Sequence, residues 1–181
     1  GMKYNSSEAL GVGEKIMGFI NDTSKDESRK LAEEKGEFPN WEHSVYGPGE
    51  ENLRLRNATR TTIAPTGSIC MIAWCSSGIE PIFSPVTISK RADKEFFEVD
   101  YAFYKLGREQ GWLTEGNQRE ILKKIVSNKG NLESITEIPE QVRNLFVTAH
   151  DIDTKFHVEM QAAFQRKTDN AVSKTINLPN S

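Results

Sequence analysis

The sequence has neither an excess of basic residues nor a long apolar run. Its 181 residues carry 23 Lys and Arg against 26 Asp and Glu, a formal net charge of −3. Nucleic-acid-binding domains usually present a basic face, so the composition argues against nucleic acid as a partner. No apolar stretch approaches the roughly 20 residues that cross a bilayer, and no signal peptide is evident. We therefore expect a cytoplasmic protein without a membrane partner.

Cysteine and histidine are also scarce. The two cysteines, Cys70 and Cys75, indicate a reducing compartment and not a disulfide framework. They stand five residues apart on a predicted helix, which places them on different faces, and we expect both to be small buried apolar residues. His150 and His157 have no cysteine beside them and no histidine partner at helical spacing, so no metal site is predicted.

The sequence does contain enough large apolar side chains for one packed domain over residues 1–181, with Gly1-Met2 interpreted as a tag remnant and start methionine. One long helix, or two helices joined end to end, is predicted over 6–35, capped by Ser6 or Ser7 and ended by Gly36, although internal glycines weaken it. Further helices are predicted over 68–74, 93–110, 115–128, 139–148 and 153–167, and β-prone stretches over 57–64, 82–88 and 171–178.

The turn Pro65-Thr66-Gly67-Ser68 stands between a β-prone run and a predicted helix. The first N–H groups of a helix have no partner within it and, together with the helix dipole, favour an anion. Gly67 would let the backbone approach a ligand closely, and the Thr66 and Ser68 hydroxyls could donate as well. The same residues also make an ordinary helix cap, and the lysine of a Walker A loop is absent. Both interpretations stay open from this turn alone.

The stretch from Asn57 to Pro81, NATRTTIAPTGSICMIAWCSSGIEP, resembles the substrate-phosphate loop of ribonucleotide reductases, and most of all that of the adenosylcobalamin-dependent class II enzymes. Further segments of the chain are similar to the same family in the same order. They are Tyr4 with Ser6–Leu10, Ala149–Ile152, His157–Val158, Met160–Gln165 and Thr168–Pro179. The resemblance therefore covers nearly the whole chain.

The resemblance implies an α/β fold, part of a ten-stranded α/β barrel that is mainly helical with a few strands here. It also implies a binding site for the substrate diphosphate at Pro65, Thr66, Gly67, Ser68 and Ile69. The expected donors are backbone N–H groups together with the Thr66 and Ser68 hydroxyls. The neighbouring segment 76–81 is expected to support this loop and not to take part in catalysis.

The family reduces ribonucleotides to deoxyribonucleotides for DNA synthesis through a thiyl radical. In the family's order the radical cysteine lies upstream of this segment, and Cys70 and Cys75 do not match its redox pair. The resemblance therefore implies no catalytic residue in this chain, which we expect to be inactive alone. It also implies a ribonucleoside diphosphate or triphosphate as substrate. Adenosylcobalamin is expected in the full-length enzyme and not on this fragment.

Several alternatives remain. The chain could be a subunit of a naturally split reductase that works only with a partner carrying the rest of the barrel, or a different phosphate-binding enzyme with a similar loop. The edge of the 171–178 strand could pair with a second copy to form a homodimer. Glu80 could shuttle protons or accept hydrogen bonds from the adjoining loop. Lys174 could pair with Asp169 or reach the active site.

Overall fold

The computed structural model describes residues 1–91 and 94–178. Its elements in chain order are α1 (Ser7–Lys35), a 3₁₀ turn (Trp41–His43), α2 (Ile69–Ala73), β1 (Val86–Arg91), β2 (Lys94–Val99), α3 (Tyr101–Glu109), α4 (Gln118–Ser127), α5 (Glu140–Leu145) and α6 (Thr154–Gln165). None of the helices within these ranges is both long enough and apolar enough to cross a membrane. The predicted balance of many helices and few strands is confirmed.

Helix α1 is a single continuous helix, the first of the two predicted possibilities. The Ser6 hydroxyl accepts the backbone N–H of Ala9 at 3.1 Å, and Gly36 ends the helix with φ +77°. The internal Gly13 is buried where α1 packs against α6. A Cβ atom at that position would lie 2.6 Å from the ring of Phe164, so the missing side chain permits the close contact between the two helices.

Strands β1 and β2 form an antiparallel hairpin whose register runs from Val86 opposite Val99 to Arg91 opposite Lys94. The predicted helix over 93–110 is therefore wrong for its first part, since residues 94–99 are a strand; residue 93 lies outside the described residues. The hairpin forms because Phe97 and Val99 pack on the core. Helix α3 begins only after Asp100, whose carboxylate accepts the N–H of Phe103 at 2.9 Å.

The main hydrophobic core lies between this hairpin and helices α3, α4 and α5. Phe103 is at its centre, with edge-to-face contacts to Trp112 at 5.1 Å and Phe146 at 5.2 Å. The other buried members are Val86, Leu113, Ile121, Leu122, Ile125, Leu132, Ile135, Ile138 and Val142. The helices that carry them follow the predicted ones with shorter ends, and Asp153 caps α6 as predicted.

Two extended segments, 57–64 and 169–175, run side by side in parallel. Ile63 donates its N–H to the carbonyl of Ala171 at 3.2 Å, and Ser173 donates to the carbonyl of Ile63 at 2.8 Å. The bridge between Ile63 and Val172 is the one ladder pair in the described parts of these segments, so the strands predicted over 57–64 and 171–178 are mostly extended chain. Two side chains of α6 bind the backbone of Val172 instead of a neighbouring strand. Gln161 donates to the carbonyl of Val172, and Gln165 accepts its N–H.

Candidate phosphate-binding turn

The residues predicted to bind phosphate form one exposed turn. Pro65, Thr66, Gly67, Ser68 and Ile69 are all exposed, between the extended segment 57–64 and α2. The structure therefore brings all five predicted residues together at one surface. This position follows from the sequence, because Pro65 ends the extended segment and the short helix starts four residues later, at Ile69.

Three consecutive backbone N–H groups at this turn, in the part of the chain that the structure describes, make no hydrogen bond. Cys70 donates its N–H to the carbonyl of Thr66 at 3.1 Å. The N–H groups of Gly67, Ser68 and Ile69 have no acceptor within the described part of the chain. The Ser68 hydroxyl makes no capping bond. Consecutive unpaired N–H groups with a free hydroxyl suit an anion.

Thr66 adopts a left-handed backbone conformation, with φ +52°. That conformation is uncommon for a β-branched residue and is strained. The surrounding contacts hold it in place, because the Thr66 hydroxyl accepts the N–H of Gly78 at 3.0 Å and the Ser77 hydroxyl donates to the carbonyl of Pro65. The oxygen of Thr66 is thus engaged within the protein. Its proton remains to donate either to the Ser77 oxygen, 3.4 Å away, or to a ligand.

The segment that clamps the turn is itself anchored by Glu80 and Ile79. Glu80 accepts the N–H of Thr175 at 2.5 Å and the Lys174 ammonium at 2.8 Å, and the Tyr4 hydroxyl donates to the carbonyl of Ile79 at 2.7 Å. Burial, with a smaller contribution from the charge of Glu80, holds the pKa of Tyr4 well above its usual range. Segment 76–81 thus contacts the turn directly.

The contacts correct two of the alternatives raised by the sequence. Lys174 pairs with Glu80 and not with Asp169, which instead binds Arg60 at 2.8 Å. Glu80 does accept a backbone N–H, but it comes from Thr175 and not from the adjoining loop. Sequence reasoning also missed the contact between Lys174 and His157. Residues 157 and 174 are 17 positions apart, and no local pattern in the sequence indicates that they meet.

The two cysteines are less buried than expected. Cys70 is half-buried and donates to the carbonyl of Gly67 at 3.1 Å, and Cys75 is exposed. Trp74 ends α2 with φ +53°, so Cys70 lies in the helix and Cys75 follows it. The two cysteines therefore do not lie on one helix, which differs from the prediction. Both are free thiols. Within the described ranges no group of three His, Cys, Asp or Glu side chains could hold a metal ion.

A family model described as the ribonucleotide reductase barrel domain matches residues 1–181. This chain belongs to the ribonucleotide reductase barrel family. The resemblance of the 57–81 stretch and the other motifs to this family is thereby confirmed.

Two relatives of this ribonucleotide reductase segment are named as vitamin B12-dependent ribonucleoside-diphosphate reductases. The protein from Thermoplasma acidophilum is 49% identical over 176 residues, covering 97% of this chain and 22% of its own length. The protein from Mycobacterium tuberculosis is 36% identical over 179 residues, covering 99% of this chain and 25% of its own. The chain thus spans about a quarter of the length of these relatives.

A solved structure confirms the fold. The Actinobacillus ureae class Id ribonucleotide reductase alpha subunit matches with a TM-score of 0.72 at 23% identity, over 93% of this chain and 28% of that one. The match extends over most of the chain although few residues are identical. The predicted partial reductase barrel is therefore the observed architecture.

Proposed function

We propose that this chain is the substrate-phosphate-binding part of a ribonucleoside-diphosphate reductase, and that the turn at 65–69 binds the diphosphate of a ribonucleoside diphosphate. The three unpaired N–H groups of Gly67, Ser68 and Ile69 are the observation that carries the proposal. They are exposed, consecutive and accompanied by the free hydroxyl of Ser68. A phosphate oxygen accepts such donors without needing a lysine.

The proposal includes the remainder of the reductase barrel as partner. Four apolar side chains on and next to α2 are largely exposed, namely Ile69, Met71, Ile72 and Trp74, with Trp74 83% exposed. A contiguous group of this kind usually marks a surface that another element covers. Barrel elements outside this chain would bury these side chains and form the far wall of the substrate site.

The radical chemistry belongs, in this proposal, to other parts of the reductase. The names of the relatives support adenosylcobalamin as the cofactor of the whole enzyme. The buried His157 does not fit a cobalt ligand, since both its ring nitrogens are engaged, one with the carbonyl of Ala149 and one with Lys174. We therefore assign no cobalamin contact and no catalytic residue to this chain.

Titration of the ¹⁵N-labelled chain with pyrophosphate tests the binding step. The expected result is a saturable shift of the Gly67, Ser68 and Ile69 amide signals, with the exposed amides of α4 unchanged as the internal control. Shifts spread over unrelated surfaces, or no shift, would contradict the proposed site.

A turnover assay tests the second part of the proposal. The chain is incubated with a ribonucleoside diphosphate, adenosylcobalamin and a dithiol reductant, and no deoxyribonucleotide is expected. Product formation by this chain alone would show that the catalytic residues are present after all.

A further inference from the structure

The Lys174 ammonium is completely buried, with 0% of its side chain exposed. Its three N–H donors meet three acceptors: Glu80 Oε2 at 2.8 Å, His157 Nδ1 at 3.0 Å and the carbonyl of Thr175 at 3.1 Å. An ammonium group has only three donors, so this one has none left for a substrate phosphate. Lys174 is therefore an internal cation although it lies near the proposed phosphate-binding turn.

These contacts determine the protonation of His157. Its Nδ1 faces an ammonium donor and must accept, so the ring proton is on Nε2. From there it is donated to the carbonyl of Ala149 at 3.0 Å. His157 is completely buried and holds Lys174 from the α6 side. The ammonium is thus fixed between a helix and the segment that contains Glu80.

Glu80 is the last residue of a short turn, 77–80, and this turn contacts the phosphate-binding residues. The N–H of Glu80 is bonded to the carbonyl of Ser77 at 3.0 Å, which closes this turn. Within the turn, the N–H of Gly78 is bonded to the Thr66 hydroxyl at 3.0 Å. A displacement of the Glu80 carboxylate would therefore move the group that holds Thr66 in its left-handed conformation.

Removal of the ammonium would produce such a displacement. The Glu80 carboxylate would keep only the N–H of Thr175, and a charged group in a partly buried site is strongly disfavoured without its partner. The Glu80 side chain is already 25% exposed, so it can turn towards water. The segment 77–80 would follow, and Thr66 would lose its bond to Gly78.

We propose that Lys174 is a positioning residue for the phosphate-binding turn, acting on Thr66 through Glu80 and Gly78 without touching the substrate. This inference rests on the proposed function for its role in binding. The effect on the conformation of the turn does not depend on that function. The two can therefore fail separately.

The test compares three variants of the chain with the wild type. Lys174→Met keeps the apolar stem and removes the charge. Glu80→Gln combined with Lys174→Met removes both charges and leaves a neutral acceptor for Thr175. Lys155→Met is the matched control, because Lys155 lies on α6 with a side chain that is 76% exposed. Hydrogen exchange of the Gly78 amide and the affinity for pyrophosphate are measured for each.

For Lys174→Met we expect Gly78 exchange to be about tenfold faster and pyrophosphate affinity about tenfold weaker, the size of one lost hydrogen bond to a charged group. The double variant should recover most of the Gly78 protection, and Lys155→Met should match the wild type. A role confined to packing would be insensitive to removal of the Glu80 charge, so lack of recovery in the double variant would overturn the proposal.

The remaining outcomes separate the two proposals. Faster Gly78 exchange in Lys174→Met, in a chain whose wild type does not bind pyrophosphate, would support the positioning role and refute the binding function. Unchanged Gly78 exchange in Lys174→Met, together with pyrophosphate binding by the wild type, would refute the positioning role and support the binding function. If Lys174→Met does not fold, ¹⁵N spectra of wild-type His157 decide, since a proton on Nδ1 would mean that the contact with Lys174 is not formed.

Discussion

The Arg60 guanidinium lies 2.8 Å from Oδ1 of Asp169, and the other oxygen of the same carboxylate accepts the backbone N–H of Arg60 at 2.7 Å. Both side chains are largely buried, 6% and 12% exposed. Asn21 of α1 also binds the guanidinium at 3.0 Å. The Asp169 carboxylate thus joins the two parallel segments, and Asn21 joins the Arg60 guanidinium to the long helix.

Replacement of Asp169 should therefore destabilise the protein strongly. We expect Asp169→Ala to lower the free energy of unfolding by about 3 kcal/mol, because the Arg60 charge stays buried without its partner. Urea denaturation measures the loss. Asp26→Ala is the control, since Asp26 forms an exposed pair with Arg29 and its loss should amount to less than about 1 kcal/mol. Equal losses in the two variants would show that the buried pair adds nothing.

Two glycines of α1 should respond to alanine in opposite directions. Gly11→Ala should raise the free energy of unfolding by about 0.5 to 1 kcal/mol, because nothing lies within 4 Å of the new methyl group and alanine favours the helix. Gly13→Ala should lower it, because the methyl group would meet the Phe164 ring at 2.6 Å. Thermal melts of both variants test this. A higher free energy of unfolding for Gly13→Ala would contradict the prediction, because it would mean that α1 and α6 can move apart without a loss of stability.

Two serines at helix starts should also differ. Ser6→Ala should destabilise the chain by about 1 kcal/mol, since the Ser6 hydroxyl accepts the N–H of Ala9. Ser68→Ala should change stability by less than about 0.5 kcal/mol, because its hydroxyl caps nothing. If the proposed function holds, Ser68→Ala should nevertheless weaken pyrophosphate binding. Denaturation and titration of the same samples distinguish these effects, and a large stability loss for Ser68→Ala would contradict the observed cap geometry.

Tyr4 should make stability depend on alkaline pH. Its pKa is raised in the folded chain by burial and by Glu80, so the phenol ionises more readily in the unfolded chain. The contribution of Tyr4 is complete below the unfolded value of about 10, and falls by up to about 1.4 kcal/mol per pH unit as the pH rises towards the folded value. Urea denaturation at about pH 9 and about pH 11 should show a smaller loss in Tyr4→Phe than in the wild type.

The control for that experiment is Tyr101→Phe, whose side chain is 64% exposed. It should lose as much stability at alkaline pH as the wild type does. The loss of the hydrogen bond to Ile79 lowers the stability of Tyr4→Phe at every pH and does not affect the slope. Identical slopes in wild type and Tyr4→Phe would contradict the prediction.

Local signals predicted the helices well. Ser6, Gly36 and Asp153 are end signals that work through bonds to residues within four positions, so one stretch of sequence contains all that is needed. The hairpin was missed because its second strand, Lys94–Val99, gains its stability from β1 and from the core, and neither is visible in that stretch alone.

The turn at 65–69 was located from sequence, but its support was not. The turn could be located because its own residues, Pro65 to Ser68, have the sequence pattern that predicts a turn before a helix. Glu80, Lys174 and His157 come from segments up to 94 residues apart, and no local pattern indicates which charged residue will find which partner. The prediction offered Asp169 as a partner for Lys174, and the structure gives that carboxylate to Arg60 instead.

The pairing of the two parallel segments has a kinetic consequence. The contact between Arg60 and Asp169 joins residues that are 109 positions apart, whereas the hydrophobic core between β1 and α5 is built from neighbouring elements. Because closing a long loop precedes any gain from such contacts, we expect the hairpin and helices α3 to α5 to assemble first. The phosphate-binding turn would then acquire its shape only in the last stage of folding, when residues 169–175 reach residues 57–64.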